Sequence, residues 1–64
     1  MTTKEHMIRS VDVYWTKANG GGYTNFGKAR DVLFEDNLVY LYDDKSDLLT
    51  AISPMNFLWL DIKR

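Results

Sequence analysis

Apolar and polar residues alternate along most of this chain, and the alternation predicts strands. Val11, Val13 and Trp15 interleave with Asp12, Tyr14 and Thr16. That period of two places successive side chains on opposite faces, so a half-buried strand is expected over 8–16. The next segment, 17–27, holds all four glycines and reads as a long glycine-rich loop. Beyond it, alternation returns at 28–35 and 38–43 around Asp36-Asn37, two residue types that tolerate positive φ and therefore suit a two-residue type I′ hairpin turn. That turn sets the register. Glu35 faces Leu38, Phe34 faces Val39, Leu33 faces Tyr40, Val32 faces Leu41, and Asp31 faces Tyr42.

One face of the hairpin then holds Val32, Phe34, Val39 and Leu41, an expected core. A three-residue loop at Asp44-Lys45-Ser46 extends the sheet to a strand over 48–53, with Leu41 opposite Leu49 and Val39 opposite Ala51. The reverse face collects Leu33, Leu38, Tyr40, Tyr42, Leu48, Thr50 and Ile52, which is more apolar than a solvated sheet face. With no helical periodicity in the chain, its cover has to be the terminal strands, a second copy or another protein. In the last segment Pro54 interrupts the ladder, so Ser53-Pro54-Met55-Asn56 is expected to make a tight turn before a final strand over 57–62.

The five strands give an all-β fold, a single five-stranded antiparallel meander. The long first loop, two tight hairpins and one-turn break before the last strand resemble the SH3-like small barrel. Pro54-Met55-Asn56-Phe57-Leu58 is similar to that family's signature of an aliphatic residue, proline, any residue, asparagine, tyrosine and an aliphatic residue. Ser53 sets Ile52 one position further back than the signature has it, and Phe57 replaces the tyrosine. By resemblance, Pro54, Asn56 and Phe57 are candidates for a peptide-binding groove.

Size restricts what else fits. The chain has 64 residues with 45% hydrophobic content, enough for one domain over 1–64, with 1–7 expected to be a flexible tail. No cysteine is present, and His6 alone builds no zinc site, so neither a disulfide, a metal nor a cofactor is expected. Asp43, Asp44 and Asp47 lack the spacing, glycine and terminal glutamate of a calcium loop. Gly20-Gly21-Gly22 is followed by no Gly-Lys-Ser/Thr and so is no phosphate loop. No catalytic constellation emerges, and no enzyme is expected. The polar start of the chain and the lack of an apolar run of ~20 residues lead to a cytoplasmic expectation.

Recognition remains, and the candidate residues are aromatic. Tyr40 and Tyr42 share the reverse sheet face, and Tyr23 and Phe26 lie in the glycine-rich segment. The expected function is a small protein-binding or regulatory module acting through these residues on another protein or, as a homodimer, on itself. Charge bears on the alternatives. Residues 1–30 carry five cations against two anions, net +3, whereas residues 31–64 carry three against seven, net −4. A single-stranded nucleic-acid binder would stack bases on Tyr14, Tyr23, Phe26, Tyr40 or Tyr42 and hold phosphates with Arg9, Lys17, Lys28 and Arg30, but the acidic half argues against it. Size and acidity also suit a mobile-element-encoded inhibitor of a host enzyme that works by surface mimicry.

Overall fold

The first strand forms where its alternation places it, over Ser10–Trp15 (β1), with Val11 and Val13 completely buried. The computed structural model describes residues 8–64; the tail expected over 1–7, and His6 with it, lies outside the described residues. After β1 come a 3₁₀ turn at Lys17–Asn19 and five further strands: β2 (Tyr23–Phe26), β3 (Asp31–Glu35), β4 (Leu38–Tyr42), β5 (Leu48–Ile52) and β6 (Phe57–Lys63). A second 3₁₀ turn, Pro54–Asn56, precedes β6, and Ser53 caps it by accepting a hydrogen bond from the Met55 N–H at 3.3 Å. Among the described residues there is no α-helix.

The strands make two antiparallel three-stranded sheets, ordered β2-β1-β6 and β3-β4-β5, and they do not close into a barrel. This corrects the single five-stranded meander: six strands form two sheets in place of one. The expected loop over 17–27 contains a strand, β2, paired to β1 from Tyr14↔Tyr23 to Val11↔Phe26. Its start is set by the glycines. Gly20, Gly21 and Gly22 all have positive φ, the left-handed conformation that glycine adopts at least cost, and they reverse the chain within three residues. Their backbone is tied down: Gly21 N–H donates to Thr16 O at 2.9 Å and Trp15 N–H to Gly22 O at 3.0 Å.

The Asp36-Asn37 hairpin matches its expected register from Glu35↔Leu38 to Asp31↔Tyr42, and both turn residues have positive φ, 55° and 62°. In the second hairpin the three-residue loop also forms, with Asp43 N–H donating to Asp47 O at 3.0 Å, and Tyr42 faces Leu48. The register then slips by one. Leu49 is an extra residue between Tyr42↔Leu48 and Leu41↔Thr50, so Val39 faces Ile52 and Tyr40 faces Ala51. A one-residue insertion exchanges the two faces of the strand beyond it. Here it turns Ile52 inward, where it is buried, and leaves Ala51 exposed. The gain is physical: a large side chain replaces a small one in the core. A similar irregularity at Leu58 lets Phe57, Leu60 and Ile62 all face the core, with Leu58 left outside.

Val11, Val13, Val39, Leu41, Ile52 and Ala29 form the buried cluster, and Val32, Leu49 and Leu60 pack against it half-buried. Phe34, expected in the core, is 65% exposed. It projects from the inner face as the alternation requires, but it sits on an edge strand beside the turn. An open groove of about 340 Å³, shared with Asp36, Asn37 and Pro54, lies where a covering side chain would have to be. The bend between the sheets is clasped by Arg30, whose guanidinium donates to the carbonyls of Arg9 at 2.7 Å, Gly27 at 2.8 Å and Ala29 at 3.0 Å.

Candidate functional site

Because β1, β2 and β6 pack on the core side of β3-β4-β5, no described strand covers the outer side of that sheet. Outward positions follow from the register: Tyr40 stands between Leu33 and Ala51, Tyr42 between Asp31 and Leu48, and Leu38 opposite Glu35. The Tyr40 and Tyr42 rings lie 6.4 Å apart, 28° from parallel. Leu33 and Leu48 flank them, 42% and 54% exposed. Thr50 and Ile52, expected on this face, belong to the inner side because of the slip at Leu49, and Ala51 takes their place. The face remains apolar across all three strands. Six carboxylates (Asp31, Glu35, Asp36, Asp43, Asp44 and Asp47) lie on or at the ends of these strands, and at the end away from the β3–β4 turn Asp43, Asp44 and Asp47 share a crevice with Lys28, Arg30 and Lys45.

The outer face of β2-β1-β6 has a different character. Tyr23, Tyr14 and Trp59 are cross-strand neighbours and form a ladder of stacked rings, with centroids 5.2 Å and 4.7 Å apart. Beside it runs a polar row. Asn25 donates to the Asp12 carboxylate at 2.7 Å, and Lys63 lies 3.8 Å from Asp12 and 3.2 Å from Asp61. The hydrogen bond and charge of Asp61, with the charge of Asp12, raise the Lys63 ammonium above its ordinary range. Ring faces within the ladder are taken up by each other, which leaves mainly ring edges and the outer faces of Tyr23 and Trp59 to solvent. Trp59 is 54% exposed for this reason.

The remaining candidates are dispersed. Phe26 faces inward and packs on the core, as does Phe57. Pro54 lines the groove beside Phe34, the one aromatic residue there. Asn56 joins the two 3₁₀ turns: its carbonyl accepts the Thr16 N–H at 3.1 Å, and its side-chain oxygen accepts from Asn19 at 3.4 Å. The structure therefore brings Tyr40 with Tyr42, and Tyr23 with Tyr14 and Trp59, but it does not assemble Pro54, Asn56 and Phe57 into one surface. Trp59 was the residue missed from the sequence; it pairs with Tyr14 and alternates with the inward Leu60 and Ile62, so the period of two over 59–62 was the signal that could have found it.

A polar crevice of about 410 Å³ is lined by Lys28, Arg30, Asp43, Asp44, Lys45 and Asp47. The Asp43 carboxylate accepts the N–H groups of Asp47 at 2.9 Å and Lys45 at 2.8 Å, and these bonds hold its pKa below the ordinary 3.8. A depressed folded-state pKa stabilises the fold fully above the unfolded value and loses that contribution as pH falls through the folded one. Asp43→Asn is therefore expected to lower the melting temperature at neutral pH, with the difference from the parent closing below about pH 4 in melts recorded from about pH 2 to 7.

Among the described residues no group of three or more His, Asp or Glu side chains is placed to hold a metal ion, and no helix is long and apolar enough to cross a membrane. Comparison with protein families, with curated proteins and with solved structures finds no match to this chain.

Proposed function

We propose that the chain is a small non-enzymatic protein-binding module that presents the outer face of β3-β4-β5 to another protein. One observation carries this reading: an apolar face three strands wide, centred on Tyr40 and Tyr42, with Leu33 and Leu48 exposed beside them and no described element over it. An antiparallel sheet ordinarily keeps one polar face to water. Burying about 400 Å² of the face would contribute roughly 10 kcal/mol before the costs of association are subtracted. The strand order is compatible with an SH3-like small-barrel reading of the fold, in that two antiparallel three-stranded sheets, β2-β1-β6 and β3-β4-β5, enclose one core.

Single-stranded nucleic acid is the weaker reading. The candidate stacking rings Tyr14 and Tyr23 are engaged with each other, and the Arg30 guanidinium is committed to three backbone carbonyls. A pull-down from native lysate tests the protein-binding reading. The parent is expected to retain a partner that the Tyr40→Ala/Tyr42→Ala variant loses while keeping a cooperative melt; equal capture by both would remove the face from the account.

A further inference from the structure

We infer that the free edge of β3 takes up an extended segment of a different protein as a further antiparallel strand, with an apolar side chain of that segment set beside Phe34. This site is separate from the outer face of Tyr40 and Tyr42, and either can fail without the other.

The backbone of β3 points to a strand. β3 lies at the edge of its sheet, and among the described residues it pairs with β4 alone. The two-residue turn at Asp36-Asn37 makes Glu35↔Leu38 a hydrogen-bonded pair, and Leu33, two residues back, bonds to β4 in the same way. Val32 and Phe34 therefore direct their N–H and C=O groups away from β4. The Val32 N–H agrees with this: it donates to the Asp31 carboxylate at 3.0 Å. The other edges are less suited to pairing. β5 and β6 each carry an irregularity, at Leu49 and Leu58, and β2 is four residues long. β3 pairs through all five of its residues without a shift and contains neither lysine nor proline. Bulges, lysines and prolines are the usual protection of an edge, and an edge without them is a template for another strand. Only an extended backbone presents donors and acceptors at the matching spacing of about 6.6 Å.

Phe34 points to an apolar residue on that strand. A hydrogen-bonded pair carries both side chains on one face. The residue opposite Phe34 on an added strand would therefore lie on the inner side, next to a ring that is 65% exposed and borders an open groove of about 340 Å³. An apolar side chain there would take the ring out of water. The rest of the groove is lined by Glu35, Asp36, Asn37, Leu38 and Pro54, two carboxylates and no cation. A cation opposite Glu35 is complementary to that end, and in an antiparallel strand it precedes the residue opposite Phe34. A second copy is the poorer occupant, because β3 has no cation to offer.

The test uses labelled, terminally blocked peptides of about eight residues, in which a lysine is followed by valine at every second position with threonine between. Binding to the full chain is read by fluorescence anisotropy and located by amide chemical shifts and hydrogen exchange. In the free chain the Phe34 N–H is expected to exchange at least about tenfold faster than the Leu33 N–H, and saturating peptide should slow it at least about tenfold. N-methylation of the valines removes the N–H groups that face β3 and should abolish binding, whereas N-methylation of the threonines, whose N–H groups face away, should leave it within about twofold. Replacing the lysine with glutamate should weaken binding about threefold or more at low salt. Phe34→Ala, at an exposed position that folding tolerates, should weaken it at least about fivefold. Tyr40→Ala/Tyr42→Ala should leave it within about twofold, which separates failure of this site from failure of the outer face. A Phe34 N–H already protected in the free chain, equal loss of binding from the two methylation patterns, or no binding at about 1 mM peptide would overturn the inference. Equal binding of the lysine and glutamate peptides would overturn the cation alone. Sedimentation of the free chain as a dimer with the Phe34 N–H protected would replace the other protein with a second copy.

Discussion

Leu41→Ala is expected to destabilise the domain by about 2–5 kcal/mol, a large fraction of what so short a chain possesses. Leu41 is the largest completely buried side chain, on the central strand of its sheet, facing Val32 and Thr50 across the ladder and packed within the cluster of Val11, Val13 and Val39. Truncating it removes apolar burial and leaves a cavity at a point where both sheets meet, so collapse around the gap would have to move two layers at once. The expected readout is loss of the cooperative thermal transition, or a large fall in its midpoint. Phe34→Ala provides the contrast. The sequence alone places Phe34 in the core beside Leu41, but a ring 65% exposed beside an open groove has little burial to lose. The cost expected from the structure is about 1 kcal/mol or less. Equal losses for the two variants would mean that the second layer does not lie where the β2-β1-β6 sheet puts it.

The second large effect is expected at the glycines. Gly20, Gly21 and Gly22 have φ of 99°, 64° and 67°, and a Cβ built at any of them meets no atom within 4 Å. Space is therefore not the constraint; backbone conformation is. At about 1–2 kcal/mol for each residue forced into the left-handed region, replacing all three with alanine should cost roughly 3–6 kcal/mol and abolish folding or nearly so. Gly21→Asn alone should be mild, since asparagine adopts this conformation more readily than alanine. Thermal melts of the two variants separate a structural reversal from a pliable spacer, because a spacer would tolerate the alanines.

Turn chemistry and alternation were legible where they acted together. Asp36-Asn37 fixed the first hairpin because both residues accept positive φ, and Val32, Val39 and Leu41 alternate in step with that turn. Tyr40 and Tyr42 were legible on the outer face for the same reason. Alternation could not show the residues added at Leu49 and Leu58, because a bulge needs no marker residue and changes the parity of everything beyond it. That is why Ile52 and Ala51 exchange faces, and why Phe57 packs on the core while Leu58 is left outside. The strand Tyr23–Phe26 was hidden by its neighbours. Thr24 and Phe26 point inward and Tyr23 and Asn25 outward, a period of two, but only four residues long and directly after three glycines. Phe34 shows a further limit of periodicity, which assigns a side chain to a face without saying how far the opposing layer extends.

On the proposed function the outer face of β3-β4-β5, and not the aromatic ladder on the opposite sheet, receives the protein partner. Amide and side-chain chemical-shift mapping of the isotopically labelled chain, titrated with the captured partner, decides between the two. Changes are expected to centre on Leu33, Leu38, Tyr40, Tyr42 and Leu48, with Tyr14, Tyr23 and Trp59 unaffected; changes centred on those three rings, with the Tyr40 and Tyr42 signals unmoved, would rule this face out.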